Sequence, residues 1–213
     1  MKLKRFVPLL GVLLAILTAA TLTSCSILPQ TEPTTIYQLP PASIVAGTEK
    51  PLAGSLCIAR PQASGLMEGA RIAVLPTPNT ISAYPDVRWQ SPAPTLWQEY
   101  ILDAFQRGER LAAIISDQQD LFADYRLDSI LHSFQVEYHS GSAQVIIVMD
   151  FSLADKATKR IIRSRRFTAQ LPVDGEQVPQ VIATFGRAVD AIAHELTAWA
   201  YQSIEKHTYL QTL

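Results

Sequence analysis

Alternating apolar and polar positions recur along the chain and predict a β-sheet. Residues 55–59 and 71–75 are short apolar runs separated by a polar, glycine-containing stretch, and residues 110–116 form a third run. Runs of this length and composition are typical of strands with at least one buried face. A shorter alternation over residues 35–39 predicts a small strand that pairs with an edge of the domain.

The strongest strand signals lie in the second half of the chain. Over residues 125–138 the apolar positions change phase near His132 and Ser133, which predicts a β-bulge or bend. Residues 145–153 are apolar on both faces in their middle, so this strand is predicted to be central in the sheet. Residues 160–171 return as a third strand, and their arginines indicate an exposed or edge position.

Helical spacing of apolar residues predicts two helices. The first begins near Ser91 or Pro92 and stops near Gly108. The second is long and C-terminal, and its buried face is a stripe at spacings of three and four. The stripe comprises Val178, Val181, Phe185, Val189, Ile192, Leu196, Trp199 and Ser203. We therefore expect an α/β fold with a mixed, largely antiparallel sheet covered on one face by two helices, including the long C-terminal helix.

A proline-rich stretch, LPTPNTISAYPDVRWQSPAP, is predicted to be a loop before the first helix. It carries Tyr84, Arg88 and Trp89, and aromatic residues beside an arginine are enriched where proteins bind partners. These three residues are therefore a predicted partner-binding site. The alternative is that Trp89 fills the end of the core beneath the first helix, while Arg88 is solvated or in a salt bridge.

A basic stretch on the predicted edge strand is a second candidate for interaction. It comprises Lys159, Arg160, Arg163, Arg165 and Arg166. Such a stretch fits an acidic partner or lipid head groups. The alternative is that the charges keep an edge strand from pairing with other chains.

The first residues of the chain have the three-part plan of a secretory signal. Lys2, Lys4 and Arg5 form a basic head, and residues 6–22 are an uncharged apolar run that leads into LTSC. The LTSC stretch resembles the bacterial lipobox, which implies cleavage before Cys25 and attachment of diacylglycerol and an N-acyl chain such as palmitate to that residue. The alternative is that residues 6–22 stay in the membrane as a single span, for which they are short.

Cleavage would divide the chain into a lipoprotein signal peptide (residues 1–24), a lipidated N-terminus with a proline-rich tether (residues 25–52) and one domain (residues 53–213). Acidic and basic residues number 19 and 18, so no strong field indicates a nucleic-acid partner. Cys57 stands alone once Cys25 carries lipid, so no disulfide is expected within the chain. The apolar neighbours of Cys57 predict a buried side chain, with a reactive thiol as the alternative.

The usual sequence marks of catalysis are missing. His132, His139, His194 and His207 are scattered, with no spacing typical of a metal site. The sequence has no Gly-x-Ser-x-Gly motif, no phosphate-binding loop and no dinucleotide glycine motif. We therefore predict a protein that is not an enzyme and that needs no metal or cofactor apart from the lipid on Cys25. The alternative is a hydrolase whose residues are gathered only by the fold.

Several stretches in a fixed order resemble a known family. They are the lipobox, the proline-rich tether, ARIAVL, SAYPDVRWQSPAPTLWQEYILDAF, ADYRLDSILHSFQVEY and QVIIVMDFSLADKATKRIIRSRRF. This order is similar to that of the ABC-type transport auxiliary lipoprotein family, found beside mammalian cell entry (MCE) type transporters in Gram-negative bacteria. The resemblance extends from about residue 56 to residue 199.

The resemblance implies a non-catalytic auxiliary component of an MCE-type ABC system that moves lipids or other hydrophobic substrates between the inner and outer membranes. The implied partners are an MCE-domain protein and the ABC permease and ATPase, with attachment to the membrane by the lipid anchor. Ser26 implies sorting to the outer membrane, facing the periplasm, and the resemblance leaves a homo-oligomer open. Two alternatives are a stand-alone periplasmic lipid carrier and an envelope-assembly lipoprotein unrelated to transport.

Overall fold

The computed structural model describes residues 33–139, 141–175 and 177–211. The predicted signal peptide and Cys25 lie outside the described residues. Within them the chain forms an eight-stranded sheet, two α-helices and one short 3-10 turn. In chain order the elements are β1 (Thr35–Tyr37), β2 (Leu52–Ile58), the 3-10 turn (Gly65–Glu68), β3 (Arg71–Thr77), β4 (Thr80–Trp89), α1 (Ala93–Gly108), β5 (Leu111–Ser116), β6 (Tyr125–His139), β7 (Ser142–Asp155), β8 (Arg160–Pro172) and α2 (Val178–Gln211).

The sheet is organised around β6. One edge of β6 pairs antiparallel with β7 along its whole length. The other edge is shared by two parallel partners, because β2 pairs with its beginning (Leu56 opposite Tyr125) and β3 with its later part (Ala73 opposite Gln135). The sheet is therefore mixed, and its two longest pairings, β6 with β7 and β7 with β8, are antiparallel, as predicted.

A bulge in β6 keeps both halves of the strand facing the helices. The pairing with β7 shifts between Leu131 and Ser133, where the sequence pattern predicts a change of phase. Leu127 and Leu131 before the bulge, and Phe134 and Val136 after it, are all buried in one core. The extra residue bends the strand and shifts the alternation by one position. The apolar side chains before and after the bulge therefore point to the same side of the sheet.

The strands that follow also match their sequence patterns. β6 ends at His139 and β7 begins at Ser142, which is the predicted hairpin. On β7 every second residue from Val145 to Leu153 is buried, and β7 lies between β6 and β8. Within the described residues β8 pairs with β7 alone, so it is an edge strand, as predicted.

Two helices cover the buried face of the sheet. The predicted stripe of α2 is buried from Val181 onward, and α1 contributes Trp97 and Phe105 to the same core. The two helices contact each other where the hydroxyl of Tyr201 donates a hydrogen bond of 3.3 Å to the carbonyl oxygen of Phe105. In the described part of the chain, neither helix is long and apolar enough to span a membrane.

The proline-rich stretch after β3 is not the predicted loop but the strand β4. A two-residue turn that contains Asn79 in the left-handed region (φ 63°) joins β3 to β4. Pro85 is tolerated because the pairing of β4 with β3 is interrupted between Ala83 and Arg88. A proline lacks the backbone N–H that a continuous ladder needs, so a proline-rich sequence predicts a loop. The sequence does not show that the ladder is interrupted at Pro85.

Trp89, the last residue of β4, lies at the centre of the core with no exposed surface. Its ring centroid is 5.5 Å from that of Phe134 and 5.2 Å from that of Phe185, which it meets edge to face. Aromatic pairs at these distances add to the stabilisation that burial provides. Trp89 therefore ties β4 to β6 and to α2.

The predicted tether is shorter than its sequence indicates. Residues 34–213 form one packed unit, so the residues before β2 belong to the domain. Residues 38–51, which we call the strap, lie against both helices. The backbone N–H of Ala42 donates to Asp103 of α1, and that of Ser43 donates to Asp190 of α2. Proline keeps such a segment extended, but the burial of Ala42 and Ile44 fixes it to the surface of the helices.

A glycine on α2 allows the strap to approach the helix. A Cβ atom at Gly186 would lie 2.6 Å from Cγ of Pro40, which is closer than atoms pack. Glycine in a helix interior lowers helix stability by about 1 kcal/mol relative to alanine. The contact with Pro40 explains why a glycine stands here nonetheless.

Asp190 is the main polar attachment of the strap. Its carboxylate accepts hydrogen bonds from the backbone N–H of Ser43 (2.9 Å), from Ser43 Oγ (2.5 Å) and from the hydroxyl of Tyr100 (2.8 Å). Burial opposes ionisation of Asp190, but the hydrogen bonds from Ser43 and Tyr100 outweigh it, and the pKa of Asp190 lies below its usual value. The ionised carboxylate therefore holds the strap at neutral pH.

We predict that Asp190→Asn loosens the strap and lowers the free energy of unfolding at pH 7 by about 1–3 kcal/mol, because the amide accepts fewer hydrogen bonds. Since the pKa of Asp190 is depressed in the folded state, its stabilisation is present above the unfolded pKa of about 4 and is lost as pH falls below it. In urea denaturation, the free energies of unfolding of the wild type and the variant should therefore converge as the pH is lowered from 7 to 2. A difference that stays constant over this range would contradict the role of the carboxylate.

We predict that Trp89→Ala lowers the free energy of unfolding by about 3–5 kcal/mol, because it leaves a cavity between Phe134 and Phe185. Arg88→Ala, one residue away on the exposed side of the same strand, is the matched control and should change it by less than about 0.5 kcal/mol. Urea denaturation of both variants makes the comparison. Equal effects would show that Trp89 is not a core residue.

Candidate interaction surface

The edge formed by β1 and β4 carries the residues that the sequence predicts to bind a partner. β1 runs parallel to β4, with Thr35 opposite Val87, and β3 flanks β4 on its other side. These strands surround a cavity of about 410 Å³. We call this region the edge surface, and it is lined by Thr34, Arg71, Ser82, Ala83, Tyr84, Pro85, Asp86, Val87 and Arg88.

Two arginines stand side by side on the edge surface. Arg71 on β3 and Arg88 on β4 are directly paired across the strands, and both are exposed. Neither forms an ion pair with any described residue. Like charges directly opposite each other on two strands cost roughly 0.2–1 kcal/mol, so an anionic group bound between them would be stabilised. Sequence reasoning missed Arg71, because only the strand register brings it beside Arg88.

Tyr84 forms part of the wall of the same cavity. It is half-buried on β4, and its hydroxyl lies 3.2 Å from the hydroxyl of Tyr138 at the end of β6. Burial and this hydrogen bond raise the pKa of Tyr84, so the phenol stays neutral. The side chain offers a rigid aromatic surface and one hydroxyl beside the two arginines.

Trp89 is the exception among the three predicted binding residues. Its complete burial leaves it no surface to offer a partner, so the structure supports the alternative in which it fills the core. The alternation of a strand sends Arg88 and Trp89 to opposite faces. The predicted site is therefore divided, and partner binding stays a prediction for Tyr84 and Arg88, which lie on a strand and not in a loop.

Where the strap meets α2, a serine of the strap contacts a histidine and an aspartate of the helix, which raises the question of hydrolysis. Ser43 Oγ lies 2.9 Å from Nε2 of His194 and 2.5 Å from Oδ2 of Asp190. In a catalytic triad the carboxylate contacts the ring nitrogen that faces away from the serine. Here Asp190 contacts the serine itself and lies 3.7 Å from the same Nε2, so the arrangement holds the strap and lacks the order of a triad.

Other titratable residues are paired in ways that explain them structurally. His132 is hydrogen-bonded to Asp150 and His207 to Asp155, so these two histidines have separate structural partners. Among the described residues no three His, Cys, Asp or Glu side chains are placed to hold a metal ion. Cys57 is buried, as predicted, and burial raises the pKa of its thiol, although Arg126 opposes this.

Several solved structures share this fold. Protein XCC0632 from Xanthomonas campestris, a crystal structure assigned to the family DUF330, has a TM-score of 0.76 and 24% identity and covers 82% of this chain and 99% of that one. The crystal structure of an uncharacterized protein has a TM-score of 0.61 and 14% identity, and covers 78% of this chain and 98% of that one. Hypothetical protein CT253 from Chlamydia trachomatis has a TM-score of 0.52 and 8% identity, and covers 72% of this chain and 98% of that one. At these identities the likeness is one of fold.

A family model covers most of the same region. The model of the ABC-type transport auxiliary lipoprotein component family matches residues 37–197, which include the strap, most of the edge surface and most of α2. No curated protein matches the chain. The family match spans well over half of the sequence and agrees with the resemblance of its ordered stretches. The chain therefore belongs to the ABC-type transport auxiliary lipoprotein component family.

Proposed function

We propose that this protein is a lipid-anchored periplasmic lipoprotein that serves as a non-catalytic auxiliary component of an MCE-type ABC transport system. The system would move lipids or other hydrophobic substrates between the inner and outer membranes. The observation that carries the proposal is the family match over residues 37–197. An MCE-domain protein, a permease and an ATPase would be separate chains, and this protein would dock onto them.

The proposed anchor is Cys25, carrying diacylglycerol and an N-acyl chain. The eight residues 26–33 separate it from Thr34, the first residue of the packed unit. A fully extended chain of this length reaches about 30 Å, so the domain would stay close to its membrane. Ser26 favours sorting to the outer membrane, with the domain facing the periplasm. Two or three acyl chains make such attachment durable.

The proposed docking site is the edge surface. Arg71 and Arg88 present two unpaired positive charges beside the Tyr84 ring, and arginine and tyrosine are frequent at binding hot spots. The surface adjoins Thr34, so it lies where the anchored chain joins the domain. An acidic group of the MCE-domain protein would fit between the guanidinium groups.

A stand-alone lipid carrier is less well supported by the cavities of the described residues. A carrier needs an enclosed apolar space of several hundred Å³ or more. The cavity between Trp97 and Met149 in the core measures about 10 Å³. The groove of about 620 Å³ between the strap and α2 is open to solvent. These dimensions favour a docking role over a carrier role.

We predict that the wild-type chain, purified from detergent-solubilised envelopes, brings down an MCE-domain protein and its permease, as identified by mass spectrometry. Cys25→Ala should remove the acyl anchor and reduce this recovery at least several-fold, because the domain is no longer held at its membrane. Mass measurement of the N-terminal peptide checks the lipid directly. Recovery of extractable lipid without any transporter subunit would favour the carrier.

We predict that the double charge reversal Arg71→Glu with Arg88→Glu reduces recovery of the MCE-domain protein about tenfold or more, because it turns attraction into repulsion at the contact. The matched control is Lys50→Glu with Lys156→Glu, two exposed cations that lie outside the edge surface and form no ion pair with any described residue. The control should behave as the wild type. Undiminished recovery with the first pair would remove the edge surface from the proposal and leave the family assignment intact.

A further inference from the structure

The basic stretch of β8 divides into paired and unpaired charges. Arg165 forms an ion pair with Glu195 of α2 at 2.9 Å and stacks on the ring of Phe167 at 4.5 Å. Arg166 contacts both oxygens of Asp150 at 2.6 and 2.7 Å. These two arginines therefore have a structural role within the domain.

The rest of the stretch has no such role. Lys159, Arg160 and Arg163 are exposed and form no ion pair with any described residue. The fold adds Lys156 from the turn before β8 and Lys206 from the last part of α2, which are also exposed and unpaired among the described residues. Five positive charges thus gather at one end of the sheet, and the sequence could not reveal that Lys206 joins them.

Three of these charges, on Arg160, Arg163 and Lys206, line a groove of about 670 Å³ between the start of β8 and the end of α2. We call it the basic groove; Arg160, Ile161, Arg163, Lys206 and Leu210 are among its lining residues. Ile161 is 66% exposed and Leu210 is 59% exposed, so two large apolar side chains present accessible surface at the same groove. The groove therefore combines positive charge with exposed apolar surface.

Asp155, the acid opposite Arg160 in the β7–β8 pairing, does not neutralise the groove, because it is already engaged. Asp155 accepts hydrogen bonds from the backbone N–H of Thr158 and from the side chains of His207 and Gln211. These bonds, from Thr158 first, hold the pKa of Asp155 well below its usual range. They also fix the end of α2 against the turn before β8, so the groove has a rigid wall.

We infer that the basic groove binds an acidic segment of a partner protein, with one or two apolar side chains of that segment packed on Ile161 and Leu210. Carboxylates of the segment would pair with Arg160, Arg163 and Lys206. Charge complementarity of this kind gives specificity and speeds association. The inference is independent of the transport role, because it rests on the unpaired charges and the shape of the groove.

Two features favour a protein segment over an anionic membrane. The site is concave, so a flat lipid surface would touch its rim but leave its lining unfilled. It also lies at the opposite corner of the sheet from Thr34. A rise of about 3.3 Å per residue and a strand spacing of about 4.8 Å place the two roughly 35 Å apart. The groove therefore faces away from the point where the chain enters the domain.

The test uses the full chain purified from membranes and reconstituted in phosphatidylcholine vesicles, with an environment-sensitive dye on Gln202→Cys, an exposed position about one helical turn before Lys206. The probe is a short peptide rich in glutamate that contains two leucines, and a peptide with lysine in place of glutamate is its counterpart. We expect a saturable blue shift with the glutamate peptide alone. Arg160→Glu with Lys206→Glu should weaken binding at least tenfold. Lys50→Glu, which reverses an exposed cation outside the groove, should not change it.

Three results would overturn the inference. They are equal binding of the two peptides, undiminished binding by the Arg160→Glu and Lys206→Glu protein, and no shift with either peptide. A blue shift in vesicles containing phosphatidylglycerol without any peptide, abolished by the same two reversals, would assign the groove to an anionic membrane instead. Circular dichroism of each variant confirms that the fold is retained.

Discussion

The requirement that both halves of β6 face the same two helices governs this structure. The bulge between Leu131 and Ser133 meets it, because it returns Phe134 and Val136 to the side occupied by Leu127. Phe134 then contacts Trp89 and Phe185, and this aromatic cluster joins the sheet to α2. Without the bulge, the second half of β6 would turn its apolar side chains away from the helices.

Two surfaces remain outside this core, and they differ in chemistry and position. The edge surface pairs Arg71 and Arg88 beside a half-buried tyrosine, close to where the chain enters the domain. The basic groove lies at the opposite corner and adds exposed Ile161 and Leu210 to its charges. A small module with a proposed contact at each end would be suited to joining other chains, which accords with the auxiliary role of its family.

Sequence patterns predicted the parts of the fold in which local periodicity and packing agree. The bulge and the central strand β7 followed from alternation, the edge strand β8 from its arginines, and the stripe of α2 from helical spacing. β4 was missed because Pro85 lies in an interruption of the ladder that only the register reveals. The strap was missed because proline indicates an extended chain but not what it packs on. The pairing of Arg71 with Arg88, and the position of Lys206 beside the same groove as Arg160 and Arg163, depend on tertiary contacts alone.

The most direct test of the central claim, that the domain docks through its edge surface, is hydrogen–deuterium exchange of the lipidated protein with and without the MCE-domain protein. The account predicts slower exchange on binding in β1 and β4, which form the edge surface, and unchanged exchange in the middle of α1. No protection in β1 and β4 when the complex forms would contradict the account.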